Sequence, residues 1–399
     1  MMWERVKLGD VSDSCLGKML DQRKNKGTYK PYLANVNVRW GAFDLDNLQE
    51  MKFEDDEDER YGIKYGDLII CEGGEPGRCA IWKEQLPNMK IQKALHRLRV
   101  NEEMDYRYVY YWFLLAGKQG ALKQYYTGAT IMHMPGQKLK EVVIDKPPLD
   151  VQRKIGDYLE AFDDLIENNQ KQIKLLEEAA QRLYKEWFVD LRFPGYEDVE
   201  TVDGVPEGWR YKRVEELGEV ITGKTPSTSK TEYYGGSIPF VTIPDMHGNV
   251  FPLVTEKTLT KVGADTQKNK YLPANTVIVS CIATVGLVNI AIEPCQTNQQ
   301  INSVILHDDN NLYFFYESMK RIKALLDGVG SNGATMTNVN KTKFSNIKVL
   351  YPTEDLVMKY NEFCKPIFAQ ILASSKAMLT SKQARDRLLP KLMRGEIEV

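Results

Sequence analysis

The sequence lacks several features that would place it in a common functional class. Its six cysteines, at positions 15, 71, 79, 281, 295 and 364, include no CxxC pair, which argues against a zinc site and predicts reduced thiols. It has no long uncharged apolar run, and the N-terminal MMWERVKLGD has no apolar core. We therefore expect a soluble, cytoplasmic protein with neither a membrane span nor a signal peptide.

Histidine and net charge are also scarce. The four histidines, His96, His133, His247 and His307, are isolated from one another and show no metal-ligand spacing. The 53 Lys and Arg nearly balance the 55 Asp and Glu, which weakens any case for general polyanion binding. The run EDDEDER at 54–60 is typical of a solvated loop. Charge alone therefore leaves nucleic-acid binding undecided.

An internal repeat carries more information. WERVKLGDV with a GK at Gly17 matches WRYKRVEELGEV with a GK at Gly223, and 61–81 aligns without a gap on 270–290. Ile91-Gln92 resembles the QQI at 299–301, and GATIMHM at Gly128 resembles GATMTNV at Gly333. Because the matches keep the same order, the chain is predicted to contain two related lobes.

Two long helices are predicted beside the lobes. Apolar residues recur at alternating steps of four and three through 151–187 and again through 357–392, which is typical of a narrow coiled-coil seam. The first helix leaves lobe one toward lobe two, and the second can only return along it, so an antiparallel pair is expected. The predicted seam includes Ile155, Tyr158, Phe162, Leu165, Asn169, Leu176 and Leu183 on the first helix and Ile367, Ile371, Met378 and Leu388 on the second.

Each lobe is predicted to be α+β, because short β-type runs alternate with Gly/Pro turns and one helix per lobe is indicated at 106–115 and 312–326. The expected fold is two pseudo-repeated α+β domains separated by an antiparallel coiled coil of two helices. The predicted boundaries are lobe one at 1–147, the central helix at 148–190, a linker at 191–208, lobe two at 209–352 and the C-terminal helix with its tail at 353–399.

One motif suggests an enzyme. GEVITGKT at 218–225 fits the phosphate-binding pattern G-x-x-x-x-G-K-[ST]. Pro226 and a turn-rich segment follow where a helix should begin, and Met19 replaces the Ser or Thr in lobe one. The sequence therefore favours a protein without a catalytic site or a metal.

The whole chain resembles a known family. The helix PPLDVQRKIGDYLEAFDDLIENNQKQIKLLEEAAQRLYKEWFVD and the ending ARDRLLPKLMRGEIEV resemble the specificity subunit of type I restriction-modification systems. GKTPSTSKTEYYGGSIPFVTIPDM in lobe two, and GKMLDQRKNKGTYKPYLANVNVRWGAFDL with YGDLIICEGGEPGRCAIW in lobe one, resemble that family's target recognition domains.

The resemblance implies that each lobe recognises one half of a bipartite double-stranded DNA site. The helices would set the spacing and bind two methyltransferase subunits and, through them, the restriction subunits. The chain itself would carry no cofactor, because S-adenosylmethionine, ATP and magnesium belong to the partner subunits.

Candidate DNA contacts follow from side-chain chemistry. Basic and aromatic side chains suit phosphate contacts, Asn suits adenine, and Arg or Lys suits guanine. In lobe one a loop offers Lys18, Arg23, Lys24, Lys26, Tyr29 and Lys30, and a second strip offers Lys90, Lys93, His96, Arg97 and Arg99. In lobe two the corresponding loop offers Lys224, Thr225, Ser227, Thr228, Lys230, Tyr233 and Tyr234, and the segment after the GAT turn offers Asn338, Asn340, Lys341 and Lys343.

Two other hypotheses stay open at this point. One is an enzyme that uses the GEVITGKT loop, and the other is a coiled-coil scaffold joining two protein-binding lobes. Divergent repeats favour DNA recognition, because an asymmetric bipartite target needs two related lobes with different loops.

Overall fold

The computed structural model describes residues 3–21, 25–322, 324 and 338–399. The chain divides into two compact units, one formed by residues 1–165 with 380–399 and the other by residues 166–379. Each unit contains one mixed lobe and part of each of two 40-residue helices, Leu149–Phe188 and Glu354–Met393. The predicted α+β class with two repeats and two long helices is confirmed.

Lobe one is built on a four-stranded antiparallel sheet in the order β2-β10-β7-β8. A second sheet, β6-β3-β9, joins β3 and β9 in parallel, and β1 pairs with β11. The strands are β1 Glu4–Lys7, β2 Ser12–Leu16, β3 Thr28–Leu33, β4 Val38–Arg39, β5 Ala42–Phe43, β6 Gln49–Phe53, β7 Leu68–Cys71, β8 Cys79–Ile81, β9 Lys90–Ile91, β10 Leu95–Val100 and β11 Val143–Lys146; the helices are Asp58–Tyr61, Tyr106–Gln119 and Gly136–Lys140.

Lobe two repeats this plan with the orders β15-β21-β18-β19, β17-β16-β20 and β14-β22. The pairing of β16 with β20 is again parallel. The strands are β12 Thr201–Val202, β13 Val205–Pro206, β14 Arg210–Arg213, β15 Gly218–Thr222, β16 Tyr234–Val241, β17 Lys257–Leu259, β18 Val277–Ser280, β19 Val288–Ile290, β20 Gln296–Thr297, β21 Ile301–Leu306 and β22 Lys348–Tyr351; the helices are Val214–Leu217, Ile243–Met246, Lys261–Asp265, Leu312–Lys320 and Lys341–Ser345.

The repeat extends to single hydrogen bonds. The amide of Gly77 donates to Cys71 O at 2.9 Å, and the amide of Gly286 donates to Ser280 O at 3.0 Å. Both glycines have positive φ, 89° and 95°, which a residue with a Cβ rarely adopts. The gapless alignment of 61–81 on 270–290 is therefore correct at the level of the backbone.

A second alignment was wrong in register. The amide of Lys18 donates to Ile91 O at 3.0 Å, and the amide of Lys224 donates to Thr297 O at 2.9 Å. Ile91 therefore corresponds to Thr297, and Gln92 corresponds to Asn298 rather than to the QQI segment. Matching the shared letters Q and I gave the wrong register. The two lobes have the same backbone turn here, but its side chains differ.

The helix of lobe one shows why these residues form it. The Asp105 side chain caps its start by accepting from the amides of Arg107 at 2.9 Å and Tyr108 at 3.3 Å, and Gly120 ends it at φ 70°. Its buried face, which includes Tyr108 and Phe113, packs on the apolar side of the four-stranded sheet. Helix and sheet together form the core of the lobe.

The long helices run antiparallel within each unit. In the first unit Asp163 pairs with Arg385, and Ile155 joins a cluster with Leu392. In the second unit the Ser374 hydroxyl donates to Gln172 Oε1 at 3.1 Å, and the Tyr360 hydroxyl donates to Ala180 O at 3.2 Å. In both units the residue numbers rise along the first helix as those of the contacting residues on the second helix fall. This is the expected antiparallel arrangement.

The predicted seam is partly displaced. Ile155 and Ile371 are buried; Phe162, Asn169, Leu176, Leu183, Ile367, Met378 and Leu388 are half-buried. The prediction was wrong for Tyr158 and Leu165, which are 58% and 51% exposed, whereas Leu159 and Tyr184 are buried. One residue on a helix turns the side chain by about 100°, so a one-residue error in the seam moves an apolar residue out of the contact.

Residues 191–208, the predicted linker, contain the β12–β13 hairpin. Phe193 is 6% exposed and lies 5.1 Å from Trp209 between ring centroids. This segment is therefore packed on the second unit rather than extended in solvent.

Candidate nucleic-acid interface

The GK loop of lobe one begins with a lysine that lies inside the protein. Lys18 is 3% exposed; its Nζ pairs with Glu57 and donates to Lys52 O at 3.0 Å, above the Phe53 ring. The acidic run expected to be a solvated loop thus supplies an internal counter-ion. Lys18, a predicted phosphate contact, is therefore buried in the isolated chain, where it pairs with a carboxylate 39 residues away in sequence.

A second carboxylate of the same run holds two more cations. Asp58 Oδ1 lies 2.8 Å from Lys30 Nζ and 3.1 Å from Lys90 Nζ, and Lys90 is 3% exposed. Burial would raise the pKa of Asp58, but the hydrogen bonds to Lys30 and Lys90 outweigh it and lower the pKa. Lys90 is therefore also internal, while Asp55 of the same run remains at the surface.

Most of the second basic strip belongs to β10 and faces inward. Arg97 is 4% exposed; it pairs with Asp13 at 2.7 Å and donates to Arg60 O at 2.9 Å. His96 lies 3.0 Å from Met134 O, and its burial lowers its pKa. Arg97 and His96 are thus structural in the isolated chain.

A smaller exposed set remains in lobe one. Lys26, Tyr29 and Lys93 are exposed, and Lys52 Nζ lies 5.3 Å from the centre of the Tyr29 ring. Lys93 lies two residues after the end of strand β9, and its amide donates to Lys18 O at 2.8 Å. Two further candidates, Arg23 and Lys24, lie outside the described residues.

The corresponding loop of lobe two is open. Lys224 and Thr228 are exposed, and the Thr225 hydroxyl donates to Gln299 Oε1 at 2.7 Å. The Ser227 and Ser229 hydroxyls lie 2.9 Å apart, so the loop presents hydroxyl groups at its surface.

Two tyrosines support this loop. The Tyr234 hydroxyl donates to Pro226 O at 2.7 Å, and Lys230 Nζ lies 5.2 Å from the centre of the Tyr233 ring. The contact with Tyr233 raises the pKa of Lys230. Lys230 therefore remains a cation at neutral pH.

The segment after the second GAT turn lies beside this surface. Asn338 bridges to Ile282, and the next residue donates from its amide to Cys281 O at 2.8 Å. Asn340 Oδ1 accepts from the Lys343 amide at 2.9 Å and so caps the helix Lys341–Ser345. Asn338, Lys341 and Lys343 remain exposed, whereas the oxygen of Asn340 is engaged.

The GEVITGKT segment is not a phosphate-binding loop. Residues 218–222 are strand β15, and 223–230 form no helix on which phosphates could sit. A Cβ at Gly223 would overlap Asn298 O, and a Cβ at Gly17 would overlap Gln92 O. The glycine of each GK pair is thus required by a close backbone contact.

Two further searches cover only the part of the chain that the structure describes. Within it, no group of three or more His, Cys, Asp or Glu side chains is placed to hold a metal ion. Likewise, none of its helices is both long and apolar enough to cross a membrane.

Comparison with known proteins decides the family. The family model described as "Type I restriction modification DNA specificity domain" matches residues 2–178 and 206–355, one match for each repeat. The HindI specificity subunit of Haemophilus influenzae is 35% identical over 99% of both chains. This chain belongs to the specificity-subunit family of type I restriction-modification systems.

Other members agree with this assignment. The MjaIX specificity subunit of Methanocaldococcus jannaschii is 28% identical over 84% of this chain and 78% of its own. The crystal structure of the type I S subunit from M. genitalium shares the fold with a TM-score of 0.60, at 16% identity over 98% of this chain and 96% of that one. The resemblance to non-catalytic subunits for DNA recognition is thus confirmed.

Sequence reasoning missed one exposed residue of this specificity subunit. Gln299 occupies the position in lobe two that Lys93 occupies in lobe one, two residues after the parallel strand and beside the GK loop. The sequence does contain this correspondence, because an alignment on the GK pairs at 17 and 223 places Lys93 opposite Gln299. Matching the letters Q and I instead gave the wrong register.

Proposed function

We propose that this chain recognises a bipartite double-stranded DNA site, with lobe one contacting one half-site and lobe two the other. This proposal rests on a contrast between the two lobes. They share strand orders and backbone hydrogen bonds, but their surface side chains differ at equivalent positions. A symmetric site would need identical side chains, whereas an asymmetric site requires two related surfaces with different chemistry.

The proposed DNA contacts are local. They comprise exposed residues of the predicted set and two half-buried residues of the lobe-two loop, Thr225 and Tyr233. The exposed residues are Lys26, Tyr29 and Lys93 in lobe one, and Lys224, Ser227, Thr228, Lys230, Asn338, Lys341 and Lys343 in lobe two. Because Lys18, Lys90 and Arg97 are neutralised internally, the isolated chain would bind DNA weakly. Affinity would then depend on partner subunits as well.

Those partners are proposed to be two methyltransferase subunits, with restriction subunits attached through them. S-adenosylmethionine, ATP and magnesium would be bound by these partners and not by this chain. The long helices would dock the methyltransferase subunits and fix the distance between half-sites, in the cytoplasm where the DNA is accessible.

The first experiment uses the full chain co-purified with its methyltransferase subunits. The complex is incubated with duplexes randomised over a long window, and the bound fraction is sequenced. We expect two short specified blocks separated by a spacer of fixed length. A scaffold that joins two protein-binding lobes would select no sequence, and that result would reject DNA recognition.

The second experiment tests the spacer. Each 40-residue helix is about 60 Å long. Adding four residues after Leu176 and four after Ala369 lengthens the pair by about 6 Å. Leu176 lies between Gln172 and Ala180, and Ala369 lies between their partners Ser374 and Tyr360. The preferred spacer should then change by one or two base pairs, since B-DNA rises about 3.4 Å per pair. Changed half-sites with an unchanged spacer would contradict this role of the helices.

A further inference from the structure

We propose that Lys93 and Gln299 are equivalent base-reading residues, and that they specify guanine in the half-site of lobe one and adenine in the half-site of lobe two. The inference rests on the proposed function and assigns bases within it. It depends on three observations: the structural equivalence of the two positions, their exposure and the orientation of the Gln299 amide.

The equivalence is fixed by backbone bonds on both sides. Before the position, the amide of Gln92 donates to Leu33 O at 3.0 Å, and the amide of Asn298 donates to Val241 O at 3.3 Å. After it, the amide of Gly17 donates to Leu95 O at 2.9 Å. In lobe two the amide of Gly223 donates to Ile301 O at 3.1 Å. One residue in each lobe therefore sits at the same point of the same turn.

Both turns are rigid and project one exposed side chain. In lobe one the turn is held by the bond from the Lys93 amide to Lys18 O and by Ala94, whose φ is 86°. In lobe two Asn298 closes the turn: its Oδ1 accepts from the Gln300 amide at 3.1 Å, and its Nδ2 donates to Gln300 Oε1 at 3.1 Å. A base-reading side chain needs such a fixed origin, because errors of about 1 Å break a paired hydrogen bond.

The amide of Gln299 is oriented by its neighbour. Thr225 Oγ1 donates to Gln299 Oε1 at 2.7 Å, so the oxygen of the amide faces the GK loop. Oε1 keeps a second lone pair, and Nε2 keeps its two N–H donors. One acceptor and one donor side by side match N6–H and N7 of adenine in the major groove.

Lys93 offers a different pattern at the same point. Its ammonium group has donors and no acceptor, so it can bind O6 and N7 of guanine but cannot accept from adenine N6. Unlike Lys18 and Lys90 nearby, Lys93 is exposed. The contrast between donor-only and donor–acceptor groups predicts different bases in the two half-sites.

The test uses the complex of the full chain with its methyltransferase subunits and selection from randomised duplexes. Gln299→Arg should convert one adenine of the second half-site to guanine, with at least about a tenfold change in preference. Lys93→Gln should convert one guanine of the first half-site to adenine. Each change should leave the other half-site intact.

Asn310→Arg is the matched control for charge. Asn310 is exposed and follows the far end of β21, whereas Gln299 precedes its start, so the same cation is added about 20 Å away. The control should select the wild-type sequence. If it also converts adenine to guanine, added charge rather than base reading is responsible, and the inference is wrong.

Thr225→Val covers the case in which Gln299→Arg binds no duplex. This variant should still select a bipartite site but lose the adenine preference at one position of the second half-site. Unchanged preferences in Gln299→Arg or Thr225→Val, or a wild-type second half-site without adenine, would overturn the assignment. A wild-type complex that selects no bipartite sequence would instead refute the proposed function.

Discussion

The two lobes use different chemistry at one equivalent buried point. In lobe one Lys90, on the parallel strand β9, pairs with Asp58 at 3.1 Å. In lobe two Gln296, on β20, donates to Ala264 O at 3.0 Å and accepts from Gln267 Nε2 at 2.8 Å. The backbone pairing is the same, so the fold depends on main-chain bonds and packing, and any side chains that satisfy one another can occupy the interior.

The largest expected effect is on stability in lobe one. Asp58→Ala leaves the buried Lys90 ammonium without its partner, so lobe one should lose about 3 kcal/mol of stability, less than a fully buried pair would cost because Asp58 is half-exposed. Amide hydrogen exchange in β3 and β9 should accelerate about a hundredfold, while β16 and β20 stay unchanged.

Gln296→Ala provides the matched change in lobe two. It removes a neutral amide and should cost about 1–2 kcal/mol. Adding Lys90→Met to Asp58→Ala should recover part of the loss, because no unpaired charge remains. Equal effects of Asp58→Ala and Gln296→Ala would show that charge does not distinguish the two interiors.

The second prediction concerns pH. Tyr111 and Glu317 occupy equivalent helix positions; the Tyr111 hydroxyl donates to Asp163 at 2.7 Å, whereas burial raises the pKa of Glu317 to about 7. An acid with a raised pKa favours the folded state below its unfolded pKa, and this contribution is lost as pH rises through about 7. Glu317→Gln should therefore stabilise the second unit by about 2 kcal/mol at pH 8 and hardly at all at pH 4.

Hydrogen exchange at the two pH values, corrected for intrinsic rates, measures this difference. The charged groups that influence Glu317 are the cations Lys320 and Arg321 and the anion Glu177. All three stay in place in this variant. Tyr111→Phe is the control in lobe one, and it should not stabilise that lobe at pH 8, because it removes a hydroxyl that donates to Asp163. Equal stabilisation by Glu317→Gln at both values would contradict the assignment.

The third prediction separates the two GK lysines. Lys224→Ala should leave stability unchanged but weaken DNA binding by the complex up to about tenfold and reduce the magnitude of its salt dependence by about one. Lys18→Ala should destabilise lobe one, because Glu57 loses its counter-ion. It should not remove a direct contact with DNA. Fluorescence anisotropy across a salt series, combined with thermal unfolding, distinguishes these outcomes.

The smallest effect is expected at the exposed edge of the acidic run. The Asp55 side chain is 98% exposed and 3.6 Å from Lys30 Nζ. Asp55→Asn should change stability by less than about 0.5 kcal/mol. DNA affinity should rise slightly, since one repelling charge disappears. A loss of several kcal/mol would mean that the whole run, and not only Glu57 and Asp58, supports lobe one.

The sequence predicted the elements that depend on the order of the repeated motifs and on the spacing of apolar residues. The short apolar run Leu68–Cys71 forms strand β7, and the helix predicted from Tyr106 begins there. Both are determined by local apolar runs and caps. The gapless repeat also gave the correct hairpin register, because glycines at positive φ tolerate few replacements.

The interior charges could not be predicted in this way. Lys18 and Lys224 both follow the glycine of a GK pair, yet Lys18 is buried and Lys224 is exposed. The difference comes from Glu57, which is 39 residues from Lys18. A basic pattern shows that cations are present, but only tertiary contacts show whether a carboxylate already neutralises them.

The division of the long helices between units has a consequence for biosynthesis. Leu389 and Leu392 belong to the core cluster of lobe one, so the first unit cannot be completed until residues 380–399 have left the ribosome. The second unit needs nothing beyond residue 379. At a rate of synthesis of about 5–20 residues per second, Ile155 and Leu159 lack their contacts with residues 380–399 for about ten seconds or more. The lobe translated first is therefore the one that matures last, and it is the one most exposed to chaperones and proteases.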